Sequence, residues 1–181
     1  MVLGFAMLLP AAFGQDAKKQ AENYSAVAVG TGGSVGGKSM MFSLQIKEYM
    51  NDAEVLKYAE LLKEGGQDAL RKALEKLDSG QLSPAGRVGN PIAIARKRQE
   101  GGKTIITIVT ARVMPFIELY HSGRSTDYPF GLMRITFNEK GEGSGQVMAA
   151  AKIRFDKKKD QVEIESYGNQ YIKVVNGRKE K

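Results

Sequence analysis

The segment Glu118-Leu119-Tyr120-His121-Ser122-Gly123-Arg124-Ser125-Thr126-Asp127-Tyr128 carries the densest set of side chains able to act on a substrate. His121 is the chain's only histidine, and imidazole is the side chain whose ordinary pKa suits proton transfer near neutrality. Glu118 and Asp127 are the carboxylates available to orient it, and Ser122 or Ser125 the available nucleophile, which would be hydrolytic chemistry. Neither serine lies in a nucleophile-elbow pattern, and the spacing specifies no Ser-His-acid geometry. Arg124 points to a different chemistry, because its planar fork matches carboxylates and phosphates, with Tyr120 and Tyr128 beside it to border a ligand. A structural role competes with both. Arg124 and Asp127 would close the loop as an ion pair, Pro129 would set the path of the following strand, and Tyr128 would lie over a sheet edge with its hydroxyl on a polar partner. The preferred functional reading is a non-enzymatic binding or structural module with Arg124, Tyr128 and Tyr120 at the ligand. The alternative is a hydrolase-like enzyme using His121, Ser122, Ser125, Asp127 and Glu118.

Two other motifs invite chemistry and lack its context. Gly32-Gly33-Ser34-Val35-Gly36-Gly37-Lys38-Ser39 satisfies the phosphate-loop expression, but that site needs a helix to begin at its Lys-Ser end. Here Phe42, Leu44 and Ile46 alternate with Ser43, Gln45 and Lys47, the period of a strand with one buried face. A hairpin connection is expected, with no bound nucleotide. Asn138, Glu139 and Glu142 form an acidic turn without the ligand spacing of a calcium loop, and Lys140 interrupts its charge. No metal or cofactor is expected.

The chain has 181 residues, no cysteine and a net charge of +7. Without cysteine there is no disulfide framework, thiol nucleophile, zinc knuckle or iron-sulfur centre. The positive balance favours an anionic small molecule or a cell-envelope component as partner. No specific nucleic acid is expected, because the basic runs Arg96-Lys97-Arg98 and Lys157-Lys158-Lys159 sit beside turns, close to acidic residues and without interleaved aromatics. Met1 to Phe13 is apolar and uncharged, and Ala12-Phe13-Gly14 has small residues where an export peptidase cuts. Residues 1–14 therefore read as a signal peptide, with 15–181 a single periplasmic or secreted domain. The apolar run is shorter than the roughly 20 residues of a membrane span, so the mature chain is expected to have no transmembrane segment.

The elements that must position these residues are mostly strands. Strand-like runs fall at Tyr24 to Val29, Phe42 to Ile46, Ile92 to Lys97, Thr104 to Val113, Phe130 to Phe137, Gly145 to Phe155, Val162 to Tyr167 and Tyr171 to Val175, separated by short turns. Between the second and third the period changes. Asn51 with Glu54 forms a capping box, an apolar stripe runs through Val55, Ala59 and Leu62 to Gly65-Gly66, and a second helix is expected from Gln67 to Leu77. Ser79 to Asn90 reads as a surface loop. The fold class that follows is α+β, with a predominantly antiparallel, curved or partly closed sheet of about seven to eight strands and a helical pair.

Three stretches are together distinctive: Gly30 to Gly37 before the Phe42-x-Leu44-x-Ile46 strand, Glu64-Gly65-Gly66-Gln67-Asp68-Ala69-Leu70, and Arg124-Ser125-Thr126-Asp127-Tyr128-Pro129-Phe130. With the apolar leader, they make the chain resemble a group of exported bacterial proteins from acidobacteria-like genomes. The resemblance covers most of the mature chain and implies a single exported domain. It carries over no catalytic or ligand-binding residue.

Overall fold

A computed structural model describes residues 21–31, 36–114, 127–167 and 171–180. Ten strands, β1 (Glu22–Thr31), β2 (Ser39–Ile46), β3 (Gly80–Pro84), β4 (Asn90–Ile92), β5 (Ile94–Glu100), β6 (Lys103–Thr110), β7 (Phe130–Phe137), β8 (Gly143–Asp156), β9 (Gln161–Ser166) and β10 (Tyr171–Lys179), form one antiparallel sheet. The order is β4-β3-β2-β1-β10-β8-β7-β6-β5, with β9 on the far end of β8. The two ends of that order, β4 and β5, are successive parts of one bent segment. At the bend the Ala93 N–H donates to Val109 O (2.9 Å), so the sheet nearly closes into a barrel.

The expected seven to eight strands are thus too few. The difference lies in 79–90, read as a loop from its Ser, Gly and Pro content. Gly80–Pro84 pairs with β2, Leu82 opposite Leu44, and Asn90–Ile92 pairs back onto β3. Short strands of poor intrinsic propensity persist because pairing and the burial of Leu82 and Ile92 hold them.

Alternation along the strands sends one set of side chains inward. Ala26 and Ala28 of β1, Phe42, Leu44 and Ile46 of β2, Ile106 and Ile108 of β6, Met133 and Ile135 of β7, and Ile172 and Val174 of β10 fill the interior. Among the described residues the barrel interior is thus a packed core.

The helical pair is assigned as one element, α1 (Asp52–Leu74), broken at Gly66, whose φ of 71° and ψ of −171° are not helical. Glycine adopts that conformation without a Cβ penalty, so the break falls where the sequence places Gly65-Gly66. The capping box forms as expected: Asn51 Oδ1 accepts from Glu54 N and Glu54 Oε2 from Asn51 N, both at 2.9 Å. The α1 residues Leu62, Leu70 and Leu74 cover a second apolar cluster on the outside of the barrel, against Ile94, Phe130 and Ile153. The helix ends at Leu74, short of the expected Leu77, with the Glu75 N–H bonding back to Arg71 O (2.9 Å).

Lys38 and Ser39 stand where β1 turns into β2. Gly30 N donates to Lys38 O (2.8 Å), and Ser39 is the first residue of a strand. No helix starts there to direct a dipole at a phosphate. Lys38→Ala is accordingly expected to change stability by only a few tenths of a kcal/mol, about the ordinary surface effect. Titration with a magnesium nucleotide should give no heat with either form. Tight binding abolished by the substitution would overturn this reading.

Candidate functional site

Of the 118–128 segment, Glu118, Tyr120, His121, Ser122, Arg124 and Ser125 lie outside the described residues. Asp127 and Tyr128 lie within them. The Asp127 carbonyl accepts from Gln67 Nε2 (3.1 Å), and Gln67 Oε1 accepts from Ile153 N (3.1 Å), so one side chain just past the Gly66 break joins the start of β7 to β8. Tyr128 meets the Tyr167 ring edge-on at 5.1 Å and donates its hydroxyl to Glu165 of β9. That hydrogen bond to a carboxylate raises the Tyr128 pKa. Tyr167 and Tyr128 thus meet at the β9 side of the fold.

Among the described residues the strongest electrostatic cluster lies elsewhere, at the barrel mouth where β1 begins and β10 ends. Glu22 accepts from Tyr49 Oη (2.5 Å), Tyr24 Oη (2.7 Å), Lys179 Nζ (2.7 Å) and Lys97 Nζ (2.9 Å). Tyr24 and Lys179 are register partners, and Lys97 follows interior-facing Ala95 by two residues, so all three point to the mouth from the inner face. Burial alone would raise the Glu22 carboxyl. The hydrogen bonds from Lys179, Tyr49, Tyr24 and Lys97 override it and hold the group far below the usual carboxylate range. Burial, and then the bond to Glu22, push the Tyr49 hydroxyl well above the ordinary phenol value. Lys97 also lies 5.3 Å from the Tyr49 ring centroid. In the basic run 96–98, then, Lys97 faces the mouth, while Arg96 and Arg98 reach Asp52 at the start of α1. A cleft of about 290 Å³ opens beside the cluster, between Gln99, Thr104, Phe137 and the turn at Asn138. Its two ammonium groups are already committed to one carboxylate.

A third feature is the outer face of β7, β8 and β10. Arg134 pairs with Gln146, and Gln146 with Lys173, so the three side chains form one outward row across neighbouring strands. Thr136 and Ser144 make the next row. Two clefts lie over these rows, of about 440 and 660 Å³, and share Ser144 as a common wall. The first is bordered by Arg134 and Lys173, the second by Lys140 and Arg178. Their floor includes bare backbone at Gly145 and Gly177.

Many of the protein's cations are paired: Lys47 with Asp78, Lys63 with Asp160, Arg71 with Glu75, Arg154 and Lys159 with Glu163. Arg134, Lys140, Lys173 and Arg178 form no salt bridge among the described residues, and Glu142 is the one carboxylate lining either cleft. Glu142 is itself held by Asn138 Nδ2 (2.9 Å), within a turn in which Asn138 Oδ1 accepts from the Lys140 and Glu142 amides. Asn138 and Glu142 of the acidic motif are taken up by the turn's own hydrogen bonds, and no group of three metal-ligating side chains occurs among the described residues.

Residue types alone do not point to this face, because its members lie on three strands and meet only through register. A signal exists in the alternation Arg134-x-Thr136 and Ser144-x-Gln146, which marks outward positions on β7 and β8. No family model, curated protein or solved structure matches the chain. No helix among the described residues is long and apolar enough to cross a membrane.

Proposed function

We propose that the protein is an exported, non-enzymatic binding module whose ligand is anionic. The observation that carries this reading is the concentration of Arg134, Lys140, Lys173 and Arg178, all without an acidic partner among the described residues, around two adjoining clefts on one sheet face. Four cations gathered around a single carboxylate, Glu142, repel one another, and an anion bound between them relieves that repulsion. The packed interior supports the same reading, because it makes the barrel a stiff platform for an external face. Export rests on the apolar leader at 1–14.

Binding of this kind is salt-dependent. The purified protein is expected to be retained on a column of a sulfated polymer at low ionic strength and released as salt is raised. Arg134→Gln with Lys173→Gln should elute at markedly lower salt. Flow-through of the unaltered protein at low salt, or elution unchanged by the double substitution, would remove the basis for an anionic ligand at this face. Turnover of an ester or amide substrate lost in His121→Ala, with folding intact, would replace the binding module with the hydrolase.

A further inference from the structure

We infer that the ligand of this face is a linear acidic polysaccharide lying along the two clefts, an inference that rests on the anion-binding reading above. Length is the first argument. The clefts adjoin at Ser144, and their cations are distributed along them. Arg134 and Lys173 are two strands apart, about 10 Å at the usual strand spacing. Lys173 and Arg178 are five residues apart on β10, roughly 15 Å along an extended chain. A single carboxylate or phosphate can engage one end of this array. Occupying it all requires an extended molecule carrying repeated negative charges.

The neutral lining decides what kind of chain. Thr136, Ser144 and Gln146 project beside Arg134 and Lys173, and Asn138 and Asn176 border the second cleft. Hydroxyls and amides both donate and accept, which suits the alternating donors and acceptors of sugar hydroxyls. Among the described residues no aromatic ring lines either cleft, so the stacking surface on which single-stranded nucleic acids rely is missing from that lining. The exposed large apolar side chains, Met41, Leu56, Val88, Val162 and Ile164, all lie outside the lining of both clefts, so nothing there inserts among lipid chains.

Oligogalacturonates of defined length, polyphosphate and a single-stranded oligonucleotide of matched charge provide the test, by calorimetric titration of the purified protein at one fixed ionic strength. The expected result is affinity that rises with uronate chain length until the groove is filled, and a preference for the uronate over both other polyanions. Arg134→Glu with Lys173→Glu should weaken uronate binding at least about tenfold. Lys57→Glu with Lys72→Glu, the same change in net charge on exposed positions of α1, should leave it within about twofold. Should the glutamate pair impair folding, Arg134→Gln with Lys173→Gln supplies the same comparison at smaller charge change, with an intermediate loss. Tighter binding of polyphosphate or oligonucleotide would overturn the polysaccharide while leaving an anion-binding face. Equal losses in the groove and helix variants would overturn the groove as the site. Absence of binding to all three polyanions would overturn this inference and the proposed function together.

Discussion

Glu22→Gln is expected to destabilise the protein by about 2–3 kcal/mol, a fall of roughly 5–10 °C in the thermal midpoint for a domain of this size. The carboxylate accepts hydrogen bonds from four groups, two of them ammonium groups, and is only 21% exposed. An amide keeps the shape and loses the charge, leaving Lys97 and Lys179 to repel across the mouth. The effect should depend on pH in a definite direction. Folding depresses the Glu22 pKa, so its contribution is fully present above the unfolded value, about 4.3, and is drawn down as the pH falls from there toward the depressed folded value. Guanidinium midpoints of both forms at pH 7 and pH 3 provide the measurement. The gap between them should narrow at pH 3, and a gap of equal size at both values would show that the charge is not what Glu22 contributes.

Gly145→Ala is expected to cost about 3 kcal/mol or more, the upper range for overpacking. A Cβ there would sit 1.9 Å from Arg134 O and 2.9 Å from both the Arg134 carbonyl carbon and Ile135 Cα. Those atoms are backbone of the adjacent strand and cannot rotate aside, so β7 and β8 would have to separate along the floor of the groove. Ser144→Ala, one residue away and exposed, should change stability by no more than about 0.5 kcal/mol. Urea denaturation of the two variants makes the comparison. Equal midpoints would mean that the strands tolerate a side chain at this crossing.

Neither site of largest expected effect is announced locally: Glu22 needs partners from distant strands, and Gly145 the β7–β8 register. Periodicity places Phe42, Leu44 and Ile46 on the inner face, and all three are buried there. The Asn51 capping box and the Gly65-Gly66 interruption are equally local signals, as are the turns at Gly101-Gly102 and 157–160, so the elements they bound can be read directly. The short strands β3 and β4 escape that reading because their stability comes from neighbours. The Glu22 cluster escapes it for a stronger reason: Glu22 and Tyr24 are neighbours on β1, but Tyr49, Lys97 and Lys179 reach them only through strand pairing and the closing of the barrel. The basic row needs the β7, β8 and β10 registers for the same reason. By contrast, 118–128 is conspicuous as a sequence because its polar residues are contiguous. Tyr128, the part of its ligand-binding set within the described residues, is engaged by Glu165 and Tyr167.

The pairing of β1 with β10 has a consequence for the order of folding. Glu22 and Lys179 are 157 residues apart, and the barrel lacks its seam until they meet. Closing so long a loop is entropically slow, although doubling its length would add only about 0.6 kcal/mol. A chain emerging from the ribosome carries β1 long before β10 is made, so β1 can pair with β2 but the cylinder cannot close. Closure is thus tied to release of the end of β10. Until then, the β1 edge that β10 will occupy remains open to chaperones or to other strands.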